Sequence, residues 1–396
     1  MDKKNIAKLA FRFVFLVGVV NLFADMTYEG ARSVNGAFLA SLGASAIIVS
    51  FVSGFGEFLG YVLRSIAGFF ADKTHKYWVF AFFGYAVNML AVPALALAGN
   101  WPVAAALMIL ERTGRAIRKP SMETMLSYSS KEMGSGWVFG LNEALDQFGA
   151  TFGPLIVALV LFLKGGYKGG YAILLIPVLL CFVMLITARI IFPKPENLEK
   201  KEAVILQAGG LNKSYWLYAL GGALISAGFA DFALIAFYIH TTAAVSFQLI
   251  PILYAIAMAV AGISALILGK LLDRVGFIVT IISVFISSFA AAFAFSPSLF
   301  SIVIGMILLG ISLGAQEAFL KATLSNMVAK EKRGTAFGLF DTVFGIAWFL
   351  GNIAMGFLYT KSISYAIIFS VAVQLLSLPV FMFAVGKNNL RKTQSI

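Results

Sequence analysis

Long apolar runs alternate with short polar breaks along the whole chain. A helix needs about 20 apolar residues to cross a hydrocarbon layer ~30 Å thick. Runs of that length recur twelve times, centred near Val17, Gly56, Val87, Ile109, Ala150, Val178, Ile225, Met258, Val284, Leu309, Ile346 and Ala372. Six lie on each side of a polar stretch, Pro193 to Lys213, which contains PKPENLEKKE and has no pattern for a folded domain. The predicted plan is an all-α integral membrane protein with twelve transmembrane helices: a six-helix bundle over 1–192, a cytoplasmic linker over 193–213 and a second six-helix bundle over 214–396.

The two halves are related in sequence. Shifting the segment from Met108 to Pro154 by 198 residues places Met108 on Met306, Leu126 on Leu324, Ser127 on Ser325, Phe139-Gly140-Leu141 on Phe337-Gly338-Leu339, Glu143 on Asp341 and Gly153 on Gly351. The charges stay in the first copy, because Arg112, Arg115 and Arg118 fall on Gly310, Leu313 and Gln316. The first half is therefore read as the chemically specialised one.

Composition agrees: 60% of residues are hydrophobic, 12% are charged and mean hydropathy is +0.92, where a soluble chain carries about one-quarter charged residues. The +12 net charge does not form a nucleic-acid patch. With both termini in the cytoplasm, nearly all basic residues lie in short inner loops, and only Arg32, Lys164, Lys168 and Lys361 lie toward the outside. One cysteine, Cys181, excludes an internal disulfide. No cleavage site follows the first apolar run, so it is expected to stay as a helix.

Ionisable residues inside spans are functional candidates. The first helix is expected to end on Asp25, Glu29 and Arg32, which share a face near the outer mouth as an interfacial salt bridge or a functional group. Glu57 stands alone among glycines in the second span. Counting depth along the fourth and fifth helices puts Glu111 and Arg112 near the midplane, Glu143 about 9 Å and Asp146 about 14 Å from the inner side, so Arg112 is expected to oppose Asp146. Arg115, Arg118 and Lys119 are expected to snorkel toward the inner surface, or to form a basic vestibule for an anionic substrate. In the second half, Asp231 is a candidate for lining a cavity, Asp341 opens the eleventh helix, and Glu317 with Lys321 is a helical i, i+4 pair.

Two loops carry a repeated pattern. Gly68, Asp72 and Lys73 follow the second helix, and Gly269, Asp273 and Arg274 follow the eighth. This pair resembles the cytoplasmic signature of the major facilitator superfamily, and the resemblance covers essentially the whole chain. It implies an inner gate in which the aspartate meets a positive helix end, for Asp72 near Gly334 and Thr335. His75 and Lys73 depart from the family pattern, which has a second glycine and an arginine there. The resemblance also makes Arg112 the rough counterpart of the family's proton-coupling arginine, with Ala116 where a glycine would follow. The spacing Gly140, Gly149, Gly153 and Pro154 resembles the antiporter motif of the family's exporters, with Val157 and Ala158 in place of its closing glycines.

A phosphate-binding Gly-Lys loop and a metal-ligand cluster are both missing from the sequence, and the two histidines are far apart, so neither an enzyme nor an ATP-driven pump is indicated. The expected function is transport of a small molecule by rocking of two halves, without a cofactor or metal and with protons as partner. The protein is expected to be a monomer among membrane lipids in a prokaryotic inner membrane. Export by proton antiport is the first expectation; uptake by symport, or a lipid-handling or receptor role on the same scaffold, is the alternative. The coupling carboxylate is sought among Asp146, Glu57 and Asp25.

Overall fold

The computed structural model describes residues 3–129, 135–195, 213–327 and 333–385. The side chains of Gly140, Asp273, Glu317, Lys321, Gly334 and Thr335 lie outside the described set, and with them the expected Glu317–Lys321 pair and the Asp72 latch. Among the described residues all regular structure is helical.

The first half contains α1 (Lys3–Ser41), α2 (Ala46–Thr74), α3 (Tyr77–Ala94), α4 (Trp101–Ser127), α5 (Ser135–Phe162), α6 (Gly166–Ile173) and α7 (Leu175–Ile191). The second contains α8 (Lys213–Gly228), α9 (Phe232–Thr242), α10 (Ile250–Val275), α11 (Ile278–Ser287), α12 (Ala290–Ala294), α13 (Leu299–Met327), α14 (Arg333–Lys361) and α15 (Ile363–Val385). The pairs α6/α7, α8/α9 and α11/α12 each make one span. Among the described residues ten stretches are long and apolar enough to cross a membrane, and Ile278–Ala294 is a shorter one. The twelfth is α4, whose 27 residues suffice for a crossing but whose charges set it apart from the apolar ten. It starts cleanly, with the Asn100 side chain accepting from the Val103 amide at 3.1 Å and Pro102 in the first turn. The structure is thus the twelve-helix plan.

One expectation about α1 is overturned. The helix does not end at Arg32 but runs to Ser41, which puts Asp25 at the middle of the apolar stretch Lys8–Ser41 and not at the outer mouth. Val34, Ala37, Phe38 and Leu39 are buried, so the helix continues past Arg32 because its far end has a core to pack in.

Contacts divide the chain into two compact units, residues 1–34 with 59–203 and residues 35–58 with 204–396. The first unit has a core of Phe13, Val17, Trp78, Tyr85, Met125 and Leu185 from α1, α3, α4 and α7. Its helices approach through small residues. A Cβ on Gly114 would meet the Asn88 backbone, and on Gly149 or Gly153 the Leu22 or Met26 carbonyl of α1. Such bare contacts are how helices pack in a membrane, where apolar burial gives little preference for protein over lipid.

In the second unit, α8 packs on α14 and α15, and α10 packs on α13. The span α8/α9 is broken at Phe229–Asp231. Asp231 caps α9 by accepting from the Ala233 amide at 2.9 Å, while Ser370 Oγ and Gln374 Nε2 of α15 donate to the Gly228 carbonyl at 2.6 and 2.9 Å. Freed backbone groups within a membrane need such partners. Asp231 is therefore a buried helix cap at a break, not a residue within a continuous seventh helix as the apolar run suggested.

Candidate functional site

The network in the first unit grows from four helices. On α4, Arg115, Arg118, Lys119, Met122 and Leu126 recur at three- and four-residue spacing and so share a face. The apolar helices α1 and α5 each contribute an asparagine and an aspartate four residues apart, Asn21 with Asp25 and Asn142 with Asp146. Tyr85 and Asn88 come from α3.

Arg118 is the hub. It is 4% exposed, and its Nε donates to Asn88 Oδ1 at 2.9 Å while Nη1 donates to the Tyr85 hydroxyl at 3.1 Å and Asn21 Oδ1 at 3.5 Å. Its Nη2 lies 3.8 Å from Asp25 Oδ1, and its guanidinium stands 4.5 Å from the Tyr85 ring centre. Tyr85 in turn donates to Asn21 Oδ1 at 2.7 Å, Asn21 Nδ2 to Asn142 Oδ1 at 2.8 Å, and Asn142 Nδ2 to Asp146 Oδ2 at 3.1 Å. A continuous chain of hydrogen bonds therefore joins α3, α1 and α5. The network borders a cavity of about 110 Å³, lined by both aspartates, both asparagines, Arg115, Arg118, Lys119 and Glu143. Asp146 Oδ1 is buried and makes no hydrogen bond among the described residues.

A second cluster adjoins it. Asn88 Nδ2 donates to Glu111 Oε1 at 2.6 Å, and Glu111 Oε2 lies 3.5 Å from Arg112 Nε. The Arg112, Arg115 and Arg32 guanidiniums stand 4.7, 3.9 and 6.0 Å from the ring centre of Tyr28, and Arg32 Nη1 donates to the Tyr28 hydroxyl at 3.3 Å. Glu29, the next residue on α1, is also buried.

Two expectations about α4 need correcting. Arg118 does not snorkel; it is buried at the centre of the network. The cations acting on Asp146 are Lys119 and Arg118, while Arg112 faces Glu111 and Tyr28 and does not line the cavity. Arg118 lies six residues beyond Arg112, about 9 Å along the axis. Depth counted from loop ends misses a displacement of that size when helices tilt or begin beyond the apolar layer.

The other candidates are dispersed. Glu143 is exposed at the cavity edge, where its Oε1 accepts from Gln147 Nε2 at 2.9 Å. Glu57, Asp231 and Asp341 belong to the other unit. Glu57 is half-buried between Phe55 and Phe58, whose rings each lie 5.7 Å from Phe349. At the gate, Asp72 and Lys73 are exposed, and Asp72 Oδ1 accepts from the Tyr77 hydroxyl at 3.1 Å. A Cβ on Gly68 would touch Pro120; Gly269 is half-buried and Arg274 exposed. His75 and Gly276 occupy matching places after the two gate motifs, and both have positive φ, +53° and +85°. The backbone needs the left-handed conformation there, which glycine adopts freely and histidine more readily than most side chains.

The sequence profile of the Major Facilitator Superfamily matches residues 14–351. The chain belongs to this superfamily. An uncharacterised protein of Mycobacterium tuberculosis is 36% identical over 382 residues, covering 95% of this chain and 93% of its own. An uncharacterised MFS-type transporter of Methanocaldococcus jannaschii is 26% identical, covering 88% and 89%. Among solved structures, the nucleoside transporter NupG matches with TM-score 0.74 at 15% identity, over 94% of this chain and 100% of its own. The peptide transporter POT in complex with alafosfalin matches with TM-score 0.75 at 14% identity, over 99% and 100%. At those identities the likeness is one of fold. This superfamily member is a multi-pass membrane transporter, and its buried polar network centres on a fourth-helix arginine, Arg118, six residues beyond the one the family pattern suggested.

Sequence reasoning missed Asn21, Tyr28, Tyr85, Asn88 and Asn142. The signal was present in the two Asn-x-x-x-Asp spacings, because an asparagine in an apolar span needs a hydrogen-bond partner as much as an aspartate does.

Proposed function

We propose that this protein is a proton-coupled secondary transporter working by alternating access, with Asp146 as the proton-binding group and Asp25 and Arg118 as its electrostatic partners. The observation that carries this reading is the asymmetry of Asp146: Oδ2 accepts from Asn142, while Oδ1 is buried without a donor and borders a polar cavity. An oxygen so placed can hold a proton that solvent in the cavity delivers. Arg118 would then answer to the protonation state, because it is paired with Asp25, borders the same cavity as Asp146 and is held by neutral groups on its other side.

The charge balance favours symport. The buried and half-buried ionisable groups on α1, α4 and α5 are five cations, Arg32, Arg112, Arg115, Arg118 and Lys119, and four carboxylates, Asp25, Glu29, Glu111 and Asp146. A proton adds one positive charge to a set that already has one in excess, and a bound anion would offset it, which a low-dielectric interior rewards. Export by antiport is the second reading, supported by the Gly149, Gly153 and Pro154 spacing, although those two glycines have a sufficient role in letting α5 approach α1. The working setting is a prokaryotic inner membrane, with a monomer whose termini are cytoplasmic.

In proteoliposomes with an imposed pH gradient, Asp146→Asn is expected to reduce proton-coupled flux at least tenfold while the protein stays folded, since the exchange is isosteric. Wild-type flux in that variant would remove Asp146 from the mechanism.

A further inference from the structure

We propose that the arginines around Tyr28 bind the substrate, and that the substrate is a small molecule carrying an oxyanion, a carboxylate or a phosphate. This rests on the proton reading of Asp146 for its coupling, though not for the site itself.

Three guanidiniums converge on a tyrosine that is 1% exposed: Arg115 at 3.9 Å, Arg112 at 4.7 Å and Arg32 at 6.0 Å from the ring centre. Like charges gathered in a low-dielectric interior repel unless opposite charge is brought among them. The neighbouring acids, Glu111 and Glu29, are two against three, and Glu111 also accepts from Asn88. The cluster is therefore base-rich locally, while on its other side Arg118 and Lys119 balance Asp25 and Asp146, so the whole set has one positive charge in excess. A proton at Asp146 raises that excess, and the base-rich side is where an added negative charge lowers the energy most. Guanidinium suits the task, because its planar fork matches the two oxygens of a carboxylate or phosphate. Arg115 also lines the cavity that Asp146 borders, which gives the anion and the proton a common approach.

An ammonium substrate fits less well. The aromatic face it would use is already covered by guanidiniums. The charged groups around Asp146 itself are Asp25 from α1, Arg118 and Lys119 from α4, and Glu143 on its own helix, so its protonation changes the balance of a mixed set and not of a lone acid.

Thermal stability of the full chain in detergent, titrated with lactate, sulfate or choline at pH 6 and pH 8, tests the site, since lactate, sulfate and choline keep their charge across that range. Lactate, or sulfate if the site prefers a tetrahedral anion, is expected to stabilise the protein with about tenfold tighter half-saturation at pH 6 than at pH 8. Arg115→Gln should abolish this, and Arg112→Lys, which keeps the charge and loses the fork, should weaken it about tenfold. Asp146→Asn should bind the anion with no pH dependence. Anion stabilisation that persists unchanged in Arg115→Gln and Arg112→Lys would overturn the site, as would stabilisation by choline with none by either anion. If proton flux is intact while no anion stabilises, the site falls and the proton reading stands. If anions bind through Arg115 with no dependence on pH or on Asp146, the site stands and the proton reading falls.

Discussion

Two cavities lie at matching places in the repeat, and their linings have little in common. In the first unit, Arg118 and Met122 border a cavity of about 110 Å³ shared with Asp25 and Asp146. In the second, Gln316 and Leu320, 198 residues further on, border a cavity of about 10 Å³ whose other polar groups are Thr280, Ser287 and Ser312. The second unit forms the same kind of bundle with hydroxyls and an amide where the first has an ion network. The second copy is thus an internal control. Among the described residues no charge lines the second cavity, and burying charge is costly, so packing of the bundle does not by itself account for the ion network of the first unit. What the two halves share is backbone geometry: a Cβ on Gly153 would meet the Met26 carbonyl, and one on its counterpart Gly351 would meet the Ala227 carbonyl.

The comparison can be broken most sharply at Arg118. Arg118→Gln makes the first cavity resemble the second, and transport in proteoliposomes is expected to fall at least a hundredfold. Stability should also fall, by about 3–5 kcal/mol, because Asp25 loses its buried partner. Adding Asp25→Asn should recover most of the stability and none of the transport. Full stability in the single variant would mean that Arg118 and Asp25 are not coupled.

The reverse exchange, Gln316→Arg, buries a cation in a lining whose described residues are all neutral. A loss of about 3 kcal/mol, seen as a lowered Tm, is expected. An unaffected Tm would show that the second cavity accepts charge as readily as the first, and the contrast would lose its meaning.

Gly153→Ala and Gly351→Ala probe the shared part. Each pushes a methyl into a facing carbonyl, so both should destabilise by about 1–3 kcal/mol, and to a similar extent. Gly338→Ala, with open space around its Cβ, serves as the neutral reference. The smallest effect is expected at Thr280, whose buried hydroxyl makes no hydrogen bond among the described residues. Thr280→Val should change stability by less than about 1 kcal/mol, because it removes a polar atom with little to lose. A larger loss would reveal a buried water held by that hydroxyl.

Much of the fold was legible in the sequence. The twelve spans, α4 among them despite its charges, follow from apolar length, and the two halves follow from the 198-residue repeat and the paired gate loops. The candidate site was legible in part: α1, α4 and α5 were marked by their ionisable residues, and Asp25 and Asp146 were both named. Their grouping was not. The sequence suggested Arg112 opposite Asp146, and the structure pairs Arg118 with Asp25 and has Lys119 and Arg118 as the cations acting on Asp146, with Arg112 turned to Glu111 and Tyr28.

Composition and periodicity by themselves determined that the chain crosses a membrane, how many times, and in which repeat copy the arginines of the fourth span lie, because the bilayer imposes a length and an apolarity that show in one dimension. Tertiary structure alone decided where α1 stops, that the seventh span breaks at Phe229–Asp231, and which arginine meets which carboxylate. Those outcomes depend on how each helix is rotated about its axis and shifted along it, and both are fixed by packing against neighbours such as Met26 on Gly153, contacts between residues far apart in the chain that no local pattern encodes.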